Sequence, residues 1–286
     1  MVANIIRREG AIGYFSTYDE KTSRINRKIM NYIFIAVLSA LGLFIGILLC
    51  MELGRRLGFA SLKQDPDAAQ KGIGAIEGAV FAILGLLIAF TFSGAATRFE
   101  DRRHLIGQEA NAIGTAYLRI AILPEEAQQE LQELFRRYVD MRVATYRNME
   151  NKAETSARLA KQAVIQNEIW TRSVSACRHP NVTAAAMLML PALNEMIDIT
   201  TTRVVATQNH PPTIIFIMLG VLSLFCAMLA GYGMSCRGRS WLHVITYAAI
   251  LSITLFVIMD LEYPRRGLIR VDSADSILIE LRQSMK

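Results

Sequence analysis

The sequence predicts an all-α membrane protein of four transmembrane helices, with a cytoplasmic helical bundle inserted between the second and the third. Three observations carry that prediction. The 286 residues are 52% hydrophobic and 20% charged, with a mean hydropathy of +0.30, a more apolar balance than an ordinary soluble domain has. The apolar excess is gathered into four blocks that contain no Asp, Glu, Lys or Arg. Between the second and third blocks lies a long segment with helical periodicity and almost no strand-like alternation.

Residues 1–28 form an N-terminal cytoplasmic segment. They include Arg7, Arg8, Glu9, Asp19, Glu20, Lys21, Arg24, Arg27 and Lys28, and they lack the apolar core and small-residue cleavage site of a signal peptide. The segment is therefore expected to stay on the chain. Ile5, Ile6, Ile12, Tyr14 and Phe15 leave two readings open, a stretch lying on the membrane surface or a frayed terminus.

The first and second spans, with their outer loop, occupy residues 29–97. There are 23 uncharged residues between Lys28 and Glu52, and 20 between Glu77 and Arg98. Either block is long enough to cross a hydrocarbon core about 30 Å thick at about 1.5 Å per residue. The third and fourth spans occupy residues 204–259. Here 33 residues separate Arg203 from Arg237, the apolar part following Pro211 and Pro212, and 20 separate Arg239 from Asp260. A helix buried in a soluble core would explain one such block; four in a chain of this length point to a bilayer.

Basic residues set the orientation. With both termini and the middle segment inside, 25 of the 31 Lys and Arg residues are cytoplasmic and 6 are outside. Arg24, Arg27 and Lys28 before the first span and Arg98, Arg102 and Arg103 after the second weigh most, being close to span ends. The expected location is the bacterial inner membrane, multi-pass, with both termini in the cytoplasm. No polybasic stretch suggests a nucleic-acid partner.

The cytoplasmic helical domain covers residues 98–203. No proline interrupts the chain from Gly78 to Ile122, so one helix of about 45 residues is expected to run out of the second span. Pro124, Glu125 and Glu126 have the chemistry of a first helical turn. After them, Leu131, Leu134, Phe135, Tyr138, Met141 and Thr145 recur at the spacing of one buried face. A further helix is expected over Thr155–Ala176 with Leu159, Ala163, Trp170 and Val174 inward. Another is expected over Val182–Val205, interrupted by Pro191. Residues 260–286 form a cytoplasmic C-terminal tail. The glycosylation-like triplet Asn181-Val182-Thr183 counts for nothing on the cytoplasmic side.

Enzyme signatures are missing: there is no glycine-rich phosphate loop, nucleophile elbow or paired zinc motif. No catalytic residue, metal or cofactor is assigned. Glu100 and His104, four apart, have a ligand-like spacing but make only a pair, and His179, His210 and His243 stand alone near helix ends. Cys226 and Cys236, ten apart on one helix, are separated by about 15 Å and cannot bridge. Cys50 and Cys236, both near outer span ends, remain open as a pair or as free thiols.

The second span carries two different faces. Gly78, Ala82, Gly85, Ala89, Ser93 and Ala96 form a small-residue stripe suited to close helix packing. About a quarter-turn away run Glu77, Phe81, Leu84, Ile88, Thr91 and Phe92. Two readings of that stripe stay open: in a monomer it would meet lipid or a neighbouring helix, whereas in a ring of subunits Phe81, Leu84, Ile88 and Phe92 would line an apolar constriction that gates by dewetting, with Glu77, Arg98 and Arg102 at its mouths. At the end of the fourth span, Asp260, Glu262, Arg265 and Arg266 are expected to form an ion cluster at the membrane edge.

Three stretches carry a family likeness: residues 92–103 (FSGAATRFEDRR), residues 109–119 (EANAIGTAYLR) and residues 260–270 (DLEYPRRGLIR). Through them the chain resembles the bacterial bestrophin-like family of unknown function, over nearly its whole length from the first span onward. More distantly, Arg98–Gln108 is similar to the stretch that follows the second span of true bestrophins. That resemblance implies four membrane helices per subunit, a long helical insertion, a homopentamer and an anion-conducting axis lined by the second helix. Transferring the bestrophin neck by distance from Arg98 gives Ala82, Leu86 and Phe90 instead of the stripe above. The second span lacks the neck prolines of the animal proteins, and the tail lacks the dense acidic cluster of their calcium clasp.

The expected function is passive conduction of inorganic anions, chloride or bicarbonate, by a homo-oligomer in the lipid bilayer. The alternative is a non-conducting scaffold or sensor acting through its cytoplasmic domain, whose face around Arg136, Arg137 and Arg142 would hold a partner.

Overall fold

The computed structural model describes residues 2–64, 73–146, 152–179, 183–236, 240–271 and 275–285, with side chains from Met30 onward except at residues 64, 73, 146, 152, 153, 183 and 236. Among the described residues all regular structure is helical: α1 (Val2–Gln64), α2 (Ile73–Leu118), α3 (Glu125–Tyr146), α4 (Lys152–Cys177), α5 (Thr183–Gln208), α6 (Thr213–Gly233), α7 (Trp241–Glu262) and α8 (Ser276–Ser284). Short 3-10 turns follow α2 and α6. The stretches Met30–Lys63, Gly74–Ile122, Ala184–Gly233 and Trp241–Glu262 are long and apolar enough to cross a membrane. The expected single helix out of the second span is α2, 46 residues long. The side chains of Ile5, Ile6, Ile12, Tyr14 and Phe15, and residues 237–239, lie outside the described residues.

The chain divides into two compact units. One comprises residues 30–99 and 210–269, the other residues 1–29, 100–209 and 270–286.

In the first unit α1, α2, α6 and α7 share a core of Ile47, Met51, Leu84, Leu219, Cys226, Val244, Leu255 and Ile258. Between apolar helices in lipid, association relies on close packing rather than on exclusion of water, so small residues decide which backbones meet. Gly54 and Gly58 on α1 and Gly231 on α6 make that contact. A Cβ on Gly54 would stand 1.9 Å from the Met228 carbonyl oxygen, and one on Gly231 would stand 2.0 Å from that of Met51. On α6 the Ser223 hydroxyl donates back to Leu219 O at 2.7 Å, which satisfies a buried polar group inside the helix.

The second unit buries Ile113 and Ala116 of α2, Leu131, Phe135 and Tyr138 of α3, Ile165 and Ile169 of α4, Met189, Leu193 and Met196 of α5, and Leu278 of α8. The α3 face agrees with the expected spacing. On α4 the inward residues are Gln162, Ile165, Ile169 and Ser173. That face is rotated from the expected Leu159, Ala163, Trp170 and Val174, because two of its members are polar and carry no apolar signal. The expected break at Pro191 is absent: α5 continues through it. Met189 and Leu193, both fully buried, hold the helix on either side of the missing N–H.

Candidate functional site

The membrane portion of α2 offers one face to its own unit and leaves another open. Leu84 is 3% exposed within the core. Phe81 meets Tyr247 edge-on, ring centroids 6.4 Å apart at 86°. Ile88 is half-buried against the same core, while Phe92 is 44% exposed. Three of the four residues expected to line an axis are therefore packed against neighbouring helices of the same chain. The open face carries Ala82, Gly85, Leu86, Ala89, Phe90 and Ser93, with Phe90 67% exposed. Bulky residues at 81, 84 and 88 fill the space between helices, and the small-residue stripe faces outward beside Leu86 and Phe90. Glu77 is half-buried, and its Oε1 is enclosed without a hydrogen-bond partner. Its carboxylate oxygens come within 3.4 and 3.6 Å of where a Cβ of Gly233 would stand.

The end of α7 is organised around two buried carboxylates. Asp260 receives the backbone N–H groups of Leu268 at 2.9 Å and Ile269 at 2.7 Å, which folds the following turn back onto the helix. Gly267 has to be glycine there, since a Cβ would lie 2.1 Å from Asp260 Oδ1. Glu262 is fully buried and accepts a hydrogen bond from Arg98 Nε at 2.8 Å, with a second from the same guanidinium. His210 Nδ1 lies 3.5 Å from the other Glu262 oxygen, and its ring stacks on Tyr263 at 4.8 Å. Tyr32 of α1 closes the group by packing on Tyr263 and donating to Met259 O. Of the expected edge cluster, Asp260 and Glu262 are buried as described, Arg265 is half-exposed and Arg266 is exposed.

Neither guanidinium expected at the inner mouth stands open. Arg98 is held by Glu262. Arg102 is 7% exposed and donates to Ala206 O at 3.1 Å and Asn209 O at 2.9 Å, capping the last carbonyls of α5. The sequence signals the charge but not its use, because both partners lie more than a hundred residues away.

The helical unit contains a buried polar network that sequence reasoning missed. Glu109 on α2 accepts from Arg142 on α3 and Arg203 on α5. Arg142 also donates to Gln162 Oε1 at 2.8 Å, and the Gln162 amide donates to Thr145 Oγ1 and Met141 O. Arg142, expected on an exposed partner-binding face, is fully buried. Nearby, the Gln166 amide donates to Tyr138 Oη and Thr200 Oγ1, and burial pushes the Tyr138 phenol above its ordinary range.

Glu100 pairs with Arg103 and His104 with Gln108. Among the described residues no group of three or more His, Cys, Asp or Glu could hold a metal ion. Cys50 is a free thiol, and the side chain of Cys236 lies outside the described residues.

This arrangement has known counterparts. The chain is similar in fold to crystal structures of a bacterial bestrophin homolog from Klebsiella pneumoniae. One aligns with a TM-score of 0.59 at 16% identity, over 85% of this chain and 98% of the other. A second aligns with a TM-score of 0.61 at 15% identity over the same shares, and a third with 0.55 at 15% identity over 84% and 98%. No curated protein matches the sequence. A model of the bestrophin-like domain matches residues 41–275, most of the chain, and the chain therefore belongs to the bestrophin-like family.

Proposed function

We propose that this chain is one subunit of an oligomeric ion channel, a homopentamer by likeness to bestrophins, that conducts inorganic anions such as chloride or bicarbonate passively along an axis lined by α2. One observation carries the reading: the membrane portion of α2 buries one face in its own subunit and leaves the opposite face, Ala82, Leu86 and Phe90, exposed. In a ring that face would meet its copies. Leu86 and Phe90 would form an apolar constriction, and the exposed Ser93 and Thr97 would continue it as a polar wall. This lining replaces Phe81, Leu84 and Ile88; Phe92, at the edge of the open face, stays within it, and Glu77 lies toward the outer mouth. The charge distribution supports a bacterial inner-membrane location with both termini, the 98–203 domain and the 260–286 tail in the cytoplasm.

The test is flux through purified protein in liposomes under a chloride gradient, with the reversal potential read in a planar bilayer. A current reversing near the chloride potential is expected. Its absence from folded, correctly inserted protein would sink the proposal.

A further inference from the structure

We propose that the turn of residues 264–269, at the end of α7, is a binding site for the phosphate-bearing headgroup of an anionic phospholipid. The proposal rests on α7 crossing a bilayer and is independent of conduction.

The depth of the turn follows from its neighbours. Tyr32 donates to Met259 O at 3.4 Å, and its ring lies 5.4 Å from that of Tyr263, so the start of the α1 span and the end of α7 stand level. Around Tyr32, α1 presents Met30 and Phe34 at 67% and 65% exposure, an apolar surface suited to lipid. Paired tyrosines at such a level mark the boundary between hydrocarbon and headgroups.

The chemistry of the turn then selects its ligand. Asp260 is occupied by two backbone N–H groups and Glu262 by Arg98, so the buried carboxylates are satisfied without Arg266, which lies exposed beside Tyr32. A guanidinium offers a planar fork of donors that fits phosphate oxygens in pairs. Two residues on, Leu268 is 60% exposed. Free phosphate would use the arginine and leave the leucine in water, whereas a lipid engages both, headgroup on Arg266 and glycerol or acyl carbons on Leu268. The contact between Gly267 and Asp260 fixes the turn in advance, so little ordering opposes binding.

The experiment uses the full chain in neutral detergent, stripped of lipid and titrated with phosphatidylglycerol or phosphatidylcholine, with bound lipid counted by native mass spectrometry and folding followed by thermal melting. Phosphatidylglycerol should be retained in preference to phosphatidylcholine. A basic residue near an anionic surface contributes about 1 kcal/mol, so Arg266→Gln should weaken phosphatidylglycerol retention about 5-fold. Arg266→Lys should keep most of it, and Arg103→Gln, an exposed arginine elsewhere, should change nothing. Leu268→Ala, removing an exposed apolar side chain, should also weaken retention and serves if the Arg266 variants fail to fold. The proposal is overturned if folded Arg266→Gln or Leu268→Ala retains phosphatidylglycerol like the parent. It is equally overturned if inorganic phosphate displaces the lipid as well as phosphatidylglycerol itself does. Retention is read without current, so its failure is distinct from a failure of the channel reading.

Discussion

Gly267 has no room for a methyl group, and the obstacle is a buried carboxylate rather than a movable side-chain tip. Gly267→Ala would force Asp260 away from the Leu268 and Ile269 N–H groups, a combined overpacking and hydrogen-bond loss of about 1–3 kcal/mol. Its melting temperature should fall, whereas Gly107→Ala, with nothing within 4 Å, should be neutral or stabilising by about 0.5–1 kcal/mol as a helix-interior glycine is removed. Equal melting of the two variants would dismiss the turn as a fixed element. Glu109 poses the same question in the helical unit, where removing one partner of a buried ion pair costs about 3–5 kcal/mol because the other charge is left uncompensated. Glu109→Gln should therefore destabilise far more than Asp140→Asn, whose partner Arg282 sits at the surface. Thermal melting separates them. The identity of these residues was legible in the sequence, but their use was not. Arg142 looks like a surface arginine on an amphipathic helix, and only a partner 33 residues upstream and another 20 downstream reveal it as buried.

Elements were legible where a single local signal sets them. The proline-free run through the second span gives α2, and Pro124 with two glutamates gives the start of α3. Faces were harder to read, because periodicity ranks the sides of a helix without naming what each side meets. The small-residue stripe of α2 has the composition of a packing face, yet the packing glycines are Gly54, Gly58 and Gly231 on α1 and α6. Their spacing was available in the sequence, with Gly54 and Gly58 four apart, but nothing local linked them to a residue 173 positions later. The crossing itself can be checked. Gly231→Ala places a carbon against the Met51 backbone, which cannot rotate aside as a side chain does, so α1 and α6 must separate. A loss of about 1–3 kcal/mol is expected, read as a lower melting temperature in detergent. Gly42→Ala, on α1 with open space around it, should melt like the parent or slightly higher, and equal melting of the two variants would mean that the crossing does not depend on Gly231.

For the whole molecule, composition alone announced four apolar spans and an inserted helical bundle, because charge-free blocks of this length have few other uses. What composition left open is which surface of α2 stays uncovered by its own chain, since burial cannot be read from a helix considered by itself. The structure turns that question into a contrast between two apolar residues on one helix. Leu84 fills the core formed with α1, α6 and α7, so Leu84→Ala should leave a cavity and lower stability by about 2–5 kcal/mol, with flux changing only as folded protein is lost. Phe90 touches little within the subunit and lies 67% exposed, so Phe90→Ala should melt close to the parent. If Phe90 narrows an axial constriction, the same truncation widens and wets it, and chloride flux per folded oligomer should rise. A lipid-facing Phe90 would leave both readings unchanged. Flux that rose in Leu84→Ala but not in Phe90→Ala, at matched amounts of folded protein, would return the axis to the opposite face of α2.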